Sequence, residues 1–193
     1  MPELAIIGLS AKIAAGKDHM SGVISVRSGF FQLAFADHLK MTLIGRGEMT
    51  WEEAFVAKPK WVRERLQQYG TEEMRDKVDA DFWVHALEGW IQTLHRRHRI
   101  TKFVIGDVRF INEVEWIHEN EGFVIRLDSN REWEGEEEIT PKQTTHRSEV
   151  SLDTYNFPHR VLNNEDDAVE AEGNVLELVE LYLRSGAKDG KIF

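Results

Sequence analysis

The residues best suited to hold a phosphate lie near the start of the chain, in Gly8 to Asp18, which reads GLSAKIAAGKD. Small residues let successive backbone N–H groups converge on an anion, and a lysine beside them adds a full positive charge. Gly16 lets the main chain approach a phosphate, and Lys17 reaches its terminal oxygens. Ala11, Lys12, Ala14, Ala15, Asp18 and His19 complete the candidate cradle. The pattern departs from the usual P-loop at two places. Ala11 stands where a glycine is usual, and Asp18 stands where a Ser or Thr hydroxyl binds Mg²⁺. The same stretch also reads as a plain strand–turn–helix with Asp18 capping the helix. A second acidic residue, Asp107, ends another apolar run, as an acidic Mg²⁺ partner does in a P-loop enzyme, with Arg109 two residues on. Its plainer reading is a strand-end ion pair.

These residues need strands and helices to present them. Residues 4–8 read as a buried strand closed by glycine, and residues 17–27 as the helix behind the loop, with Met20, Val23 and Ile24 inward. Further strands are expected over 30–35, 102–107, 123–127 and 160–163. Helices are expected from Asp37, over 81–97, 110–120 and 175–183. In the helix over 81–97, Phe82, Ala86, Trp90 and Leu94 recur every fourth residue beside Trp83, Leu87 and Ile91, and are assigned to the core. Ile111, Val114 and Ile117 are taken as the inward side of the next helix. Between 45 and 80 the chain reads as short helices. Pro59 opens one, Gly70 ends it, and Thr71 caps the next. Residues 129–147 lack an apolar period and carry the Glu134 to Glu138 acidic run, which suggests a mobile lid with a solvated outer face. Apolar strands alternating with helices predict an α/β fold, a parallel β-sheet flanked by helices on both faces. Ligands then bind at the strands' C-terminal ends, where the loop at 8–18 and Asp107 both lie.

Composition narrows the function. At 193 residues the chain fits one domain over 1–193. A formal charge of −10 argues against a nucleic-acid or anionic-membrane binder. The basic run His95 to Arg99 reads as a solvated helix end, where positive charge complements the macrodipole. With no cysteine, disulfides and thiolate chemistry are excluded. No apolar run approaches the roughly 20 residues of a membrane span, and Met-Pro-Glu-Leu lacks a signal peptide's basic region. The expected location is cytoplasmic. His85 and His118 have no ligand spacing and read as structural.

Five stretches in order carry a resemblance. They are Gly16-Lys17-Asp18, the run Phe35 to Lys40, Gln68 to Arg75 with Phe82-Trp83, Asp107-Val108-Arg109-Phe110-Ile111-Asn112-Glu113, and His146-Arg147-Ser148-Glu149. Together they resemble the phage-type deoxynucleoside monophosphate kinases, over about residues 4–183. Gly-Lys-Asp in place of Gly-Lys-Ser is itself a feature of that family. The resemblance implies a P-loop nucleoside-monophosphate-kinase fold with a mobile lid, and transfer of the ATP γ-phosphate to a deoxynucleoside monophosphate with Mg²⁺. It assigns ATP to the cradle from Ala11 to His19, and Mg²⁺ to Asp18 and Asp107. It assigns the monophosphate to Asp37, Lys40, Arg65, Gln68, Gly70, Thr71, Arg75, Trp83 and Asp107, within a region at about 45–80. Lys17, Arg109, Arg131 and Arg147 would surround the transferring group. It also implies a possible homodimer, and the host cytoplasm if the chain is phage-encoded. Departures are Ala11, His19 for a common threonine, Ile111 for a proline, and the acidic lid. Two other readings stay open: a small P-loop kinase for dephospho-coenzyme A or a shikimate-like metabolite, and a nucleotide-binding module without catalysis. A weaker one is nucleic-acid binding through Arg96 to Arg99.

Overall fold

The computed structural model describes residues 4–130, 140–164, 166 and 168–186. Among the described residues five strands form one sheet: β1 (Ala5–Ala11), β2 (Phe31–Leu33), β3 (Lys102–Ile105), β4 (Phe123–Asp128) and β5 (His159–Leu162). Their order is β2-β3-β1-β4-β5, and every neighbouring pair is parallel. The helices are α1 (Lys17–Ser28), α2 (Phe35–Gly45), α3 (Lys60–Gln67), α4 (Phe82–His98), α5 (Ile111–Glu119), the short turns α6 (Pro141–Thr144) and α7 (Arg147–Val150), and α8 (Ala168–Arg184). No helix among the described residues is long and apolar enough to cross a membrane.

Both faces of the sheet are covered over its central strands, which is why β1, β3 and β4 read as largely apolar runs, while β5 at the edge alternates buried and exposed. On one face Ile6, Phe103, Ile105 and Val124 pack with Leu39 and Leu43 of α2, Trp83, Leu87 and Ile91 of α4, and Val114 and Ile117 of α5. On the other, Ile7, Leu9, Val104, Ile125 and Leu127 meet Met20 and Ile24 of α1 and Val175 and Val179 of α8. Burying each such side chain contributes about 1.5–3 kcal/mol. Gly8 sets the closeness of one layer. A Cβ there would stand 2.7 Å from Ile117 Cδ1 and 2.9 Å from Val108 Cγ2, so any larger residue must displace those side chains.

Several local expectations change. Trp90 is half exposed, because the buried arc of α4 runs through Trp83, Val84, Leu87, Ile91 and His95; its Nε1 instead donates to His38 Nδ1 at 3.2 Å. Ile111 is also half exposed, at the first turn of α5 before the helix passes over the sheet. Gly70 does not end a helix and Thr71 does not cap one. The chain runs from α3 straight into a π-helical segment, Gln68–Arg75, closed by Asp76 N–H donating to Thr71 O at 3.0 Å. The indole N–H of Trp83 donates to Gly70 O at 2.9 Å. Arg96, Arg97, His98 and Arg99 are exposed at the end of α4, as a solvated helix end requires. Of the lid expected over 129–147, residues 131–139, with Arg131 and Glu134 to Glu138, lie outside the described residues. The segment that follows folds into α6 and α7.

Candidate functional site

β1 delivers the chain to the C-terminal edge of the sheet, where it turns through Lys12–Gly16 into α1. The turn is tight: Ala15 N–H donates to Lys12 O, and both Ala14 (φ 68°) and Gly16 (φ 75°) are left-handed. Glycine takes that conformation without strain, which is the local reason for Gly16 at the start of α1. Ala15 is buried and its carbonyl accepts from Asn163 Nδ2 at 2.8 Å, pinning the loop to the end of β5. Lys12 Nζ reaches Glu149 O at 2.7 Å and the Asp153 carboxylate at 2.5 Å.

This loop opens onto a cavity of about 750 Å³, a size that suits a small-molecule ligand. Among the described residues that line it, seven are Lys or Arg and five are Asp or Glu, whereas the whole chain has 24 and 34. An acidic protein thus keeps a basic pocket suited to anions. Lys17 Nζ lies 2.8 Å from Asp18 Oδ1, and Lys58 Nζ lies 3.6 Å from Asp18 Oδ2. Burial raises the Asp18 carboxyl, but Lys17, with Lys58 and Lys40, outweighs it and holds the group below its usual range. Asp18 therefore stays ionised at the cavity mouth.

Asp107, just past β3, does something its sequence position did not suggest. Its two oxygens accept the backbone N–H groups of Phe35 (2.7 Å) and Ala36 (2.9 Å), the first residues of α2. A carboxylate there satisfies two of the helix's orphan donors and complements its dipole. Asp37 accepts from Ala34 N–H at 3.1 Å, and Lys40 stands 3.6 Å away. Burial and the neighbouring Asp107 push the Asp37 carboxyl up.

The opposite wall is held by one buried ion pair and one that is partly exposed. Arg75 pairs with Glu113 and donates to Ala80 O (2.9 Å) and Asn112 Oδ1 (3.1 Å), and its guanidinium lies over the Phe110 ring. Glu113 Oε2 accepts from the N–H groups of Arg109 (2.7 Å) and Phe110 (3.1 Å). Burial nevertheless pushes the Glu113 carboxyl up to about 7, against Arg75 and those amides. Burial pulls Arg75 down as well. Arg109 pairs with Glu149 and donates to Ser148 O at 3.2 Å. Three buried side-chain atoms among the described residues lack a hydrogen-bond partner: Ser21 Oγ, Gln143 Nε2 and Glu149 Oε2. All three residues line this cavity.

Of the residues singled out from sequence, Lys12, Ala14, Ala15, Gly16, Lys17, Asp18, His19, Asp37, Lys40, Gly70, Thr71, Arg75, Trp83, Asp107 and Arg109 meet around this one space. Four of the others do not line it. Ala11 is buried within β1. Arg65 is held by Glu48 (2.7 Å) and Glu73 (2.6 Å), Gln68 is exposed, and Arg147 pairs with Asp76 at 2.5 Å. Arg131 lies outside the described residues. The helical period explains Arg65. Val62, Arg63, Leu66 and Gln67 form the cavity face of α3, which turns Trp61, Arg65 and Gln68 away. Arg63, Gln67, Gln143 and Glu149 were missed as site residues. For α3, the signal was the apolar pair Val62 and Leu66, which marks its inner face.

The sheet order, the glycine-started α1 and the acidic residue past β3 give the chain the fold of the P-loop kinases. Its structure is similar to dephospho-CoA kinase from Campylobacter jejuni, with a TM-score of 0.51 at 14% identity, over 95% of this chain and 99% of that one. Shikimate kinase from Bacteroides thetaiotaomicron aligns with a TM-score of 0.45 at 15% identity, over 92% and 97%, and adds nothing to the assignment. No family model matches the sequence. A curated protein does: the chain is 27% identical over 195 residues to the "Putative deoxynucleotide monophosphate kinase" of Acanthamoeba polyphaga mimivirus, over 92% of this chain and 97% of that protein. The match to that relative runs through nearly all of both chains.

Proposed function

We propose that the chain is a deoxynucleoside monophosphate kinase, transferring the γ-phosphate of ATP to a deoxynucleoside 5′-monophosphate to give ADP and the diphosphate. The observation that carries this reading is that one cavity joins the Gly16–Lys17 loop to a second wall of Asp37, Gly70, Thr71 and Trp83. Two phosphate-bearing molecules can therefore meet end to end. The name of the mimiviral relative supports the choice of acceptor.

In this reading the α1 amides and Lys17 hold the β- and γ-phosphates of ATP. An oxygen of the acceptor's phosphate attacks the γ-phosphorus, the β–γ bridging P–O bond breaks, and its electron pair leaves with ADP. Little covalent chemistry falls to the protein, so positioning and charge neutralisation carry the catalysis. Arg109 faces the cavity and supplies positive charge to the transferring group. Asp37 and Lys40 orient the acceptor, and the Trp83 side of the pocket packs its sugar or base. Mg²⁺ fits the donor set. It takes oxygen ligands and keeps several waters, and both Asp18, held ionised by its lysines, and Asp107 line the cavity. When bound with ATP it would neutralise charge on the β- and γ-oxygens.

The test is ADP release from Mg-ATP across deoxy- and ribonucleoside monophosphates, with dephospho-coenzyme A and shikimate as control acceptors. Turnover of deoxynucleotides above both controls is expected. A folded sample that turns over none of them, or prefers dephospho-coenzyme A, overturns the reading.

A further inference from the structure

Glu149 closes the last of the five stretches, yet the transfer described above gives it no part. It lies in α7 with its side chain 4% exposed. Oε1 accepts from Arg109 Nη1, and Oε2 has no partner among the described residues. Stability gives little reason for a carboxylate at this place. Ionised groups are costly to take out of water, and the attraction within a buried pair often does no more than offset that cost.

What the pair does supply is aim. Arg109 is fixed at its main-chain end, where its N–H donates to Glu113 Oε2 at 2.7 Å. Its far end is fixed by α7: Nη1 meets Glu149 Oε1 and Ser148 O, the latter at 3.2 Å. Between these two anchors the long side chain has little freedom. Nε and Nη2 make no hydrogen bond among the described residues, and Arg109 lines the cavity. Those two nitrogens form the side edge of the guanidinium, a fork that matches two oxygens of a phosphate. The anchor is itself tied to the phosphate loop, because Lys12 Nζ donates to Glu149 O at 2.7 Å. That bond uses the main chain, so it survives a change of the Glu149 side chain.

We infer that Glu149 is a positioning residue: by holding Nη1, it turns the open edge of Arg109 toward the phosphoryl group in transfer. The inference rests on the kinase reading above and adds to it a residue that touches neither nucleotide. A misplaced charge beside the reacting phosphorus costs rate more than affinity, because alignment counts most in the transition state. Losing the anchor should lower kcat by about tenfold to a hundredfold. The opposite sign marks a different role. If Glu149 instead neutralises Arg109 and holds it back, removing its charge raises kcat.

The experiment compares the full chain with Glu149→Gln, Arg109→Met and the double variant. Steady-state kinetics with Mg-ATP and the deoxynucleoside monophosphate turned over fastest give kcat and both KM values. Thermal unfolding is measured alongside, with the NMR order of the Arg109 Nε–H, identified by its absence in Arg109→Met. Glu149→Gln should lower kcat by about tenfold or more, keep both KM values within about threefold, and cost no more than about twofold in the Arg109→Met background. Its Arg109 Nε–H should lose order. Melting should separate the two singles. Arg109→Met strands a buried acid and melts lower, whereas Glu149→Gln leaves a guanidinium that is 26% exposed and melts near the parent. An unchanged or raised kcat in Glu149→Gln overturns the inference. So does an equal loss with and without Arg109, which a purely structural role would give. If the parent turns over no deoxynucleotide, the kinase reading falls and the Nε–H resonance alone judges the positioning. Order lost in Glu149→Gln sustains it; order kept ends it. If Arg109→Met does not fold, Arg109→Lys serves as the background, since it keeps a charge for Glu149 and lacks the fork.

Discussion

Glu113 should make the protein less stable as the pH rises from acid to neutral, the reverse of what a well-solvated ion pair does. Burial pushes its carboxyl from the ordinary 4.5 to about 7 although Arg75 and two amides favour the charged form. Between those values the folded protein holds a proton that the unfolded chain has released. Stability therefore falls with pH across that window and levels off above it. At 1.36 kcal/mol per unit, the full effect is about 3 kcal/mol, a large share of a typical 5–15 kcal/mol. The substitution Glu113→Gln keeps the shape and a carbonyl acceptor without a titrating group. Urea unfolding of the parent and of Glu113→Gln, at steps from pH 4.5 to 8, isolates this contribution from that of every other carboxylate. The free-energy gap should move in favour of the variant by about 3 kcal/mol. A gap that stays flat would remove burial as the dominant cause. A gap that moves toward the parent would mean that attraction to Arg75 outweighs desolvation, and the reasoning would be wrong.

Removing the Glu113 acceptor altogether has a different outcome. Glu113→Leu leaves Arg75 and the Arg109 and Phe110 amides without it, and should cost on the order of 3–5 kcal/mol in urea unfolding. Lys17→Met should reduce kcat/KM for ATP by at least about a hundredfold, the scale of losing one preorganised charge on the transition state, while the melting temperature holds. Asp107→Ala should loosen the start of α2 and cost about 1–2 kcal/mol, seen by urea unfolding and as faster amide exchange at Phe35 and Ala36. Trp83→Phe deletes the bond to Gly70 O and should cost about 1 kcal/mol. In steady-state kinetics it should raise the acceptor's KM more than that for ATP.

The sheet was legible because a strand covered on both faces has to be largely apolar, and residues 4–8, 103–105 and 123–125 are. The phosphate loop was legible because small residues ending in Gly16-Lys17 directly after an apolar strand mark a turn that a phosphate can approach. The acceptor wall was much less so. A π-helical run such as Gln68–Arg75 has no period of its own in the sequence, so Gly70 and Thr71 read as a stop and a start. Arg65 and Arg63 are equally basic on paper, and only the rotation of α3 tells which one turns inward. Asp107 was visible as an acid at a strand end, but its bonds to Phe35 and Ala36 depend on residues some seventy positions away. Gln143 gave no signal at all, because a buried amide with one idle end has no signature in composition or spacing.

The bond from the tip of β3 to the head of α2 also constrains how this molecule can deform. Because Asp107 grips both leading amides, the first turn of α2 is clamped to the β-sheet and travels with it. Any closing of the acceptor wall around a guest would have to take place beyond that turn, past which the backbone at Lys58, between the π-helical turn Glu53–Ala57 and α3, is left-handed.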